Sequence, residues 1–264
     1  MRIIIPIKQV PETSNVKMDP VTGTMVREGV ESIINPLDLY SIEVGVRLKE
    51  QYGGEVIVVS MGPPKAQDAL KEAIAMGCDD AVLLTDRLFA GADTFSTSYT
   101  LSRALEKLRP FDLVICGERA TDGDTAQVGP GLAALLGLPV STFTSKVEIE
   151  DGHIRATRLI EGGYEVLELP TPALITVVKE ISDPRLPTLG GKQRAKKLDI
   201  RKRSAQDIEA DAANLGLKGS PTRVVKTFTP KVARDGRIIE VKDDKTLSQA
   251  VDAIIDILKE KAAI

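Results

Sequence analysis

The sequence has few of the side chains on which most hydrolytic and metal-dependent enzymes rely. Its 264 residues include one histidine, two cysteines and no tryptophan. A lone histidine, His153, cannot supply a metal cluster or a histidine-based catalytic triad, which disfavours zinc, hydrolytic and histidine acid–base chemistry. The cysteines, Cys78 and Cys116, form no CxxC motif, so we expect a reducing, cytoplasmic location. These residue types predict no metal site.

Long apolar runs and an excess of positive charge are also missing. No stretch approaches the roughly 20 apolar residues that a membrane-spanning helix needs. The apolar run in the first ten residues, MRIIIPIKQV, is too short for a signal peptide. The formal net charge of −3 argues against a dedicated nucleic-acid binder. We therefore expect a globular protein that neither inserts into a membrane nor binds nucleic acid, with a core of Val, Ile, Leu and Ala.

The first half of the chain alternates between strand and helix patterns. Runs typical of strands buried on both faces of a parallel sheet occupy residues 3–7, 56–60, 81–85 and 113–116. Helical patterns occupy residues 36–51, 65–76 and 94–107. Strands that alternate with helices form βαβ units. The pattern predicts an α/β fold with a doubly wound, mostly parallel sheet.

The second half predicts an antiparallel edge and an arm. A hairpin over 147–160 and strands at 164–169 and 173–178 supply the edge. We predict three parts: a nucleotide-binding α/β domain over 1–180, a loop and basic segment over 181–203, and a C-terminal arm over 204–264. The arm is predicted to contain a short helix at 205–215 and a longer amphipathic helix at 246–263. Such an arm usually packs on a partner subunit.

The stretch FDLVICGERATDGDTAQVGPG, residues 111–131, carries the strongest functional signal. An apolar strand turns at Gly117, and a loop of small and acidic residues then leads into a helix. Backbone N–H groups and the helix dipole bind nucleotide phosphates in such connections. The loop has neither the Walker A nor the GxGxxG spacing. An ordinary connection, whose glycines serve only its turns, therefore remains an alternative.

Two further strand ends are predicted to lie near this loop, because parallel sheets bind ligands at the carboxyl ends of their strands. Lys8 follows the first strand and suits contact with a phosphate or with the edge of a flavin. The turn Met61-Gly62-Pro63-Pro64 follows the second strand and suits packing against an adenine ring. Each feature also has a purely structural interpretation, as a solvated lysine and as a plain turn.

Polar and small residues around the loop have local explanations as well. Asp124 is placed to cap the helix that follows the loop. Asn35 and Pro36 have the pattern of a helix N-cap and a first helical residue. Gly123 and Gly129 allow the backbone to approach a ligand closely. These local readings alone do not define a site.

Taken together, these residues resemble the β subunit of electron transfer flavoproteins, and the resemblance runs from end to end. It rests on the opening strand with Lys8, on NPLD at 35–38, on VSMGP at 59–63 and on AMGCDDAVLL at 75–84. It also covers DLVICGERATDGDTAQVGP at 112–130. The segment ATRLIEGGYEVLELPTPALITV, residues 156–177, looks like the family's signature segment. The resemblance implies a doubly wound α/β domain whose C-terminal arm embraces an α subunit.

The resemblance also implies the residues that contact a nucleotide. It assigns contacts to Pro6, to residues 35–38, to Met61 and to the loop from Gly117 to Val128. With Lys8, Gly62 and Gly129, the candidate cofactor-binding residues are Pro6, Lys8, Asn35, Pro36, Leu37, Asp38, Met61, Gly62, Gly117, Glu118, Arg119, Ala120, Thr121, Asp122, Gly123, Asp124, Thr125, Ala126, Gln127, Val128 and Gly129.

The family has two forms that differ in the nucleotide at this site. The common form holds AMP, and its loop usually has more acidic and polar residues than DGDTAQVG. The pattern of Gly123, Thr125 and Val128-Gly129-Pro130 is similar to electron-bifurcating members, which bind a second FAD there. In those members NADH delivers a hydride to this FAD, and single electrons pass to two unlike acceptors. Because the flavin supplies the chemistry, no catalytic side chain is expected.

Residues 186–197 match the family's recognition loop. The resemblance implies that Leu189 anchors a partner dehydrogenase or a quinone-linked oxidoreductase, beside the cations Lys192, Arg194, Lys196 and Lys197. An apolar anchor ringed by cations suits docking on an acidic surface. A solvated basic face beside a loop is the alternative.

Two other functions stay open. The first keeps the family but places AMP in the site, which gives a one-electron shuttle from dehydrogenases. The second is a non-redox adenine-nucleotide-binding module, although no SGGxDS-type or GxxGxGxS-type phosphate loop is present. Nucleic-acid binding through the basic segment 192–203 is disfavoured, because that segment has no aromatic residues.

Overall fold

A computed structural model describes residues 1–12, 32–150, 152–225 and 238–261. The chain forms two compact units, Met1–Lys226 and Thr227–Ile264. Within the described residues, the first unit contains a nine-stranded sheet and a small two-stranded sheet. The second unit contains the helix α7, Asp244–Glu260. The predicted helix at 246–263 matches α7, except that residues 262 and 263 lie outside the described part of the chain.

The large sheet is mostly parallel. Its strands are β1 (Arg2–Pro6), β4 (Glu55–Met61), β5 (Asp80–Leu84), β6 (Leu113–Gly117), β7 (Val140–Glu150), β8 (His153–Ile160), β9 (Gly163–Pro170), β10 (Ala173–Val177) and β11 (Arg201–Arg203). Their order is β11-β5-β4-β1-β6-β10-β7-β8-β9. Neighbours are parallel from β11 to β7 and antiparallel from β7 to β9. Strands β2 (Gln9–Pro11) and β3 (Ser32–Ile34) form the small antiparallel sheet.

Helices cover both faces of the parallel strands. They are α1 (Asp38–Tyr52), α2 (Gln67–Met76), α3 (Thr94–Glu106), α4 (Val128–Leu136), α5 (Leu189–Lys197) and α6 (Gly216–Gly219). Ile3 and Ile5 of β1 pack into a core with α1 and α2. Ile4 packs into a second core with α3 and α4. This alternation is what a strand buried on both faces requires. The predicted doubly wound α/β fold with an antiparallel edge is confirmed.

Three details differ from the predictions. Strand β10 belongs to the parallel core between β6 and β7 rather than to the antiparallel edge. Strand β11 was not predicted; it adds exposed basic residues to the outer edge of the sheet. Charged side chains commonly protect such an edge from pairing with other chains. The predicted helix at 205–215 is wrong: turns and a 3₁₀ turn at Ala212–Asn214 take its place, and Ala205, Ile208 and Leu215 still reach the second core.

The strand order reverses beside β1. The chain runs from β1 outward to β4 and β5, then returns to β6 on the opposite side of β1. The switch point of the sheet therefore lies between the carboxyl ends of β1 and β6, where open α/β sheets bind ligands. Among the described helices, none is both long and apolar enough to cross a membrane.

Candidate functional site

The switch point brings together the ends of three neighbouring strands. Pro6 and Gly117 are the last residues of β1 and β6, and Met61 is the last residue of β4. The loop of residues 118–127 follows β6 and ends where α4 begins at Val128. The strand–loop–helix arrangement predicted for this stretch is thus present, and it lies at the carboxyl ends of the parallel strands, as predicted.

Asn35 braces this loop rather than capping a helix. It is buried, with 1% of its surface exposed. Its amide nitrogen donates to the Arg119 carbonyl at 2.9 Å, and its amide oxygen accepts from the Thr121 N–H at 3.2 Å. Helix α1 begins only at Asp38, with Leu37 at the N-cap position. The predicted N-cap role of Asn35 and helical role of Pro36 are therefore wrong.

Asp38 contacts the chain at the ends of two strands, just after β1 and at the last residue of β6. Its carboxylate accepts the Lys8 backbone N–H at 2.7 Å, and its Oδ1 atom lies against Gly117. Burial raises the pKa of Asp38 from 3.8 to about 7, although hydrogen bonds from Lys8 and Asn35 and the charge of Lys8 oppose the rise. Near neutral pH this carboxyl group is therefore divided between its charged and neutral forms.

This raised pKa predicts a dependence of stability on pH. The folded-state pKa of Asp38 lies above its unfolded value of 3.8. The contribution of the protonated Asp38 carboxyl group to folding stability is therefore full below pH 3.8 and is lost as the pH rises through about 7. Relative to Asp38→Asn, nucleotide-free wild type should be less stable at pH 8 than at pH 5, by on the order of 1–3 kcal/mol. Urea unfolding of both proteins at the two pH values measures the change. An equal difference at both pH values would rule out titration of Asp38.

Ion pairs neutralise most of the loop's charge. The Lys8 ammonium contacts Asp122 at 2.6 Å. Arg119 Nε lies 3.2 Å from Glu118 and 3.4 Å from Asp124. Burial also raises the pKa of Glu118. The two aspartates that look unfavourable for an anion site are therefore each paired with a cation.

Asp124 does not cap α4, contrary to the prediction. The N-cap residue is Gln127, whose side chain makes no capping hydrogen bond. Among the described residues, no group accepts from the N–H groups of Val128 or Gly129. Donors at the positive end of a helix are thus available to an anion.

The three glycines in and beside the loop, Gly117, Gly123 and Gly129, differ in the space around them. A Cβ on Gly117 would collide with Asp38 and lie 2.9 Å from the backbone carbonyl of Leu37. A Cβ on Gly129 would lie 2.5 Å from Thr176 Cγ2. Gly123 has no neighbouring atom within 4 Å of such a Cβ. Gly117 and Gly129 therefore serve packing, whereas Gly123 leaves open space on the loop.

The remaining candidates are connected to the loop less directly. Met61 and Gly62 lie at the same sheet edge, and the Gly62 N–H donates to the Leu84 carbonyl at 3.0 Å. No hydrogen bond among the described residues joins either of them to the loop. Two threonines beside the loop were not predicted. The Thr94 hydroxyl donates to Thr125 at 3.3 Å, and Gly129 packs against Thr176. Neither threonine carries a local sequence signal, because both contacts join distant parts of the chain.

The predicted recognition loop folds against α2. Leu189 begins α5 and has 76% of its surface exposed. Arg194 Nη2 donates to the carbonyls of Ile74 and Cys78 at 2.9 and 2.6 Å, so this cation anchors the loop to α2.

The other three cations of the predicted set, Lys192, Lys196 and Lys197, are exposed and form no ion pair with described residues. A cavity of about 360 Å³ between α2 and α5 is lined in part by three lysines, Lys71, Lys192 and Lys196.

A doubly wound sheet with a glycine-containing strand–loop–helix connection at its switch point is the architecture of nucleotide-binding α/β proteins. In the described part of the chain, no group of three or more histidine, cysteine, aspartate or glutamate side chains is arranged to hold a metal. The chain matches the electron transfer flavoprotein domain over residues 22–208.

Relatives of known family match the chain along its whole length. Electron transfer flavoprotein subunit beta from Thermoanaerobacterium thermosaccharolyticum is 48% identical over 265 residues, which cover 100% of both chains. The corresponding subunit from Clostridium acetobutylicum is 47% identical over 99% of both chains. The caffeyl-CoA reductase–Etf complex subunit CarD from Acetobacterium woodii is 44% identical over 100% of both chains. The chain therefore belongs to the electron transfer flavoprotein family, and the first two of these relatives are its beta subunits. The resemblance drawn from the sequence is confirmed.

Proposed function

We propose that this chain binds FAD at the switch point and forms the NADH-oxidising, electron-bifurcating part of an electron transfer flavoprotein. The bound FAD would supply the chemistry: it accepts a hydride and releases electrons singly to a high-potential and a low-potential acceptor. The residues of the chain bind and orient the nucleotide, and none acts as a nucleophile or general acid–base catalyst. We also propose a cytoplasmic location, because Cys78 and Cys116 are both free thiols.

The open space at Gly123 is the observation that carries the choice of FAD. A diphosphate needs more room and suffers more repulsion from carboxylates than the single phosphate of AMP. Gly123 offers no side chain, and Lys8 neutralises the adjacent Asp122. The free N–H groups of Val128 and Gly129 supply donors for phosphate oxygens. These features fit the diphosphate of FAD.

The parts of the site have separate tasks in this proposal. Asn35 fixes the loop through the backbone of Arg119 and Thr121. Gly117 and Gly129 keep the loop and α4 close to the sheet. Lys8 lies beside the loop with about half of its side chain exposed, so its ammonium can donate to a phosphate oxygen while it stays paired with Asp122.

Two surfaces are proposed to bind protein partners. Helix α7 exposes apolar residues at helical spacing along one side, Leu247, Val251, Ile254 and Leu258. We assign this side to the α subunit of a heterodimer. Leu189 and the lysines of α5 are assigned to a partner dehydrogenase or quinone-linked oxidoreductase. The name of the Acetobacterium relative, a subunit of a reductase–Etf complex, supports assembly of this kind.

Anaerobic reduction by NADH tests the proposed function. The chain is purified with its α partner, NADH is added without an acceptor, and flavin absorbance is followed. We expect rapid bleaching, because the proposed FAD accepts hydride directly. A shuttle with AMP in this site has no NADH-accepting flavin here. Flavin absorbance that NADH leaves unchanged, while dithionite bleaches it, would therefore refute the proposal.

A further inference from the structure

Arg185 joins the segment before α5 to helix α1. Its Nε and Nη2 atoms donate to the two carboxylate oxygens of Glu43 at 2.8 and 3.1 Å. Its Nη1 and Nη2 atoms donate to the oxygens of Glu50 at 2.6 and 2.9 Å. The Arg185 backbone N–H also donates to Glu43, at 3.0 Å. One residue thus makes five hydrogen bonds to two carboxylates of α1.

Burial of Glu43, though not of Glu50, distinguishes this contact from an ordinary surface ion pair. The Glu43 side chain is 7% exposed and that of Arg185 is 29% exposed. Two-pronged guanidinium–carboxylate contacts are strong and directional. Glu43 without Arg185 would be a buried carboxylate without its cation, which is costly. Hydrogen bonding to Arg185 also lowers the pKa of Glu50.

The segment held by Arg185 has few other attachments. Within residues 182–187, all hydrogen bonds to other described residues come from Arg185. The next anchors are the Thr188 N–H, which donates to the Ala75 carbonyl at 3.1 Å, and the side chain of Arg194. Leu186 and Leu189 lie on either side of Thr188 in the sequence, and they are 85% and 76% exposed.

We propose that Arg185 is a positioning residue for the recognition loop, residues 186–197. Its hydrogen bonds to Glu43 and Glu50, called the clamp below, hold Leu186 and Leu189 in place before a partner binds. This inference rests on the docking surface proposed above. A loop that is ordered in the free protein loses less conformational entropy on binding, which favours tighter docking. The Glu50 half of the clamp is exposed to solvent, so salt weakens that half, whereas the pair with the buried Glu43 is screened less.

Hydrogen exchange in the complex with the α subunit tests the clamp. In Arg185→Gln, exchange of the Thr188 amide should accelerate at least about tenfold more than exchange of the β4 and β6 amides, which report any global loss of stability. Arg185→Lys, which keeps the charge but loses the two-pronged geometry, should lie between wild type and Arg185→Gln. High salt should accelerate Thr188 exchange in wild type but not in Arg185→Gln. Equal Thr188 exchange in wild type and Arg185→Gln would overturn the proposal.

A control separates this inference from the docking assignment. Leu189→Ala leaves Arg185 in place, so Thr188 should keep its wild-type exchange rate in that variant whatever surface the partner uses. NADH oxidation with a small tetrazolium dye as acceptor needs no protein docking. Its rate should therefore be the same in wild type and Arg185→Gln. A slower rate with the dye would show that the substitution damages the flavin sites instead of the loop, and would also count against the proposal.

Discussion

Gly117→Ala is expected to remove the bound nucleotide and to lower the free energy of unfolding by roughly 2–4 kcal/mol. The added Cβ would overlap the Asp38 carboxylate and lie 2.9 Å from the Leu37 carbonyl carbon and oxygen. Backbone atoms cannot move aside as the end of a flexible side chain does. The start of α1 or the end of β6 would have to shift, and the loop attached to β6 would shift with it.

Gly163→Ala provides a matched control. Gly163 begins β9, has no atom within 4 Å of an added Cβ and does not have a positive φ. It should therefore keep wild-type stability and nucleotide content. Urea unfolding and the absorbance ratio of flavin to protein after gel filtration measure the two effects. If Gly117→Ala matched Gly163→Ala in both, the close packing at the switch point would not matter for the site.

Gly123→Asp is expected to fold normally but to bind FAD at least about tenfold more weakly, equivalent to about 1.4 kcal/mol. The space around Gly123 accommodates a side chain. The new carboxylate would, however, stand beside Asp122, for which Lys8 is the only cation in contact among the described residues. Repulsion of a diphosphate is the physical reason for the loss.

The neutral substitution Gly123→Asn separates charge from size. Asparagine has nearly the same shape as aspartate, so FAD content near that of wild type is expected for Gly123→Asn. Equal loss in both variants would assign the effect to bulk. FAD content unchanged in Gly123→Asp would contradict the placement of the diphosphate at this loop. Bound flavin is quantified by absorbance after exhaustive dialysis of the complex.

Much of the fold could be predicted because its signals are local. Strands β1, β4, β5 and β6 are short β-branched or apolar runs, and burial on both faces of the sheet demands such runs. The place of β10 could not be predicted, because its partners β6 and β7 are set by crossovers rather than by its own residues. Strand β11 was missed because Arg201, Lys202 and Arg203 are exposed and charged.

The site shows the same division between local and distant contacts. A strand that ends at Gly117 and leads to a helix can be recognised in the sequence, and the resemblance identified the family. Asn35 before a proline has the local pattern of an N-cap. Its actual partners, Arg119 and Thr121, are 84 and 86 residues away. Only the folded chain brings them together, so the brace on the loop could not be predicted.

The nucleotides released from the purified complex test the central claim most directly. The chain is isolated with its α subunit, the complex is denatured, and the released cofactors are identified and counted by chromatography against FAD and AMP standards. We expect two FAD and no AMP per heterodimer. One FAD together with one AMP would contradict the central claim, because the site at the switch point would then hold the nucleotide of a simple electron shuttle.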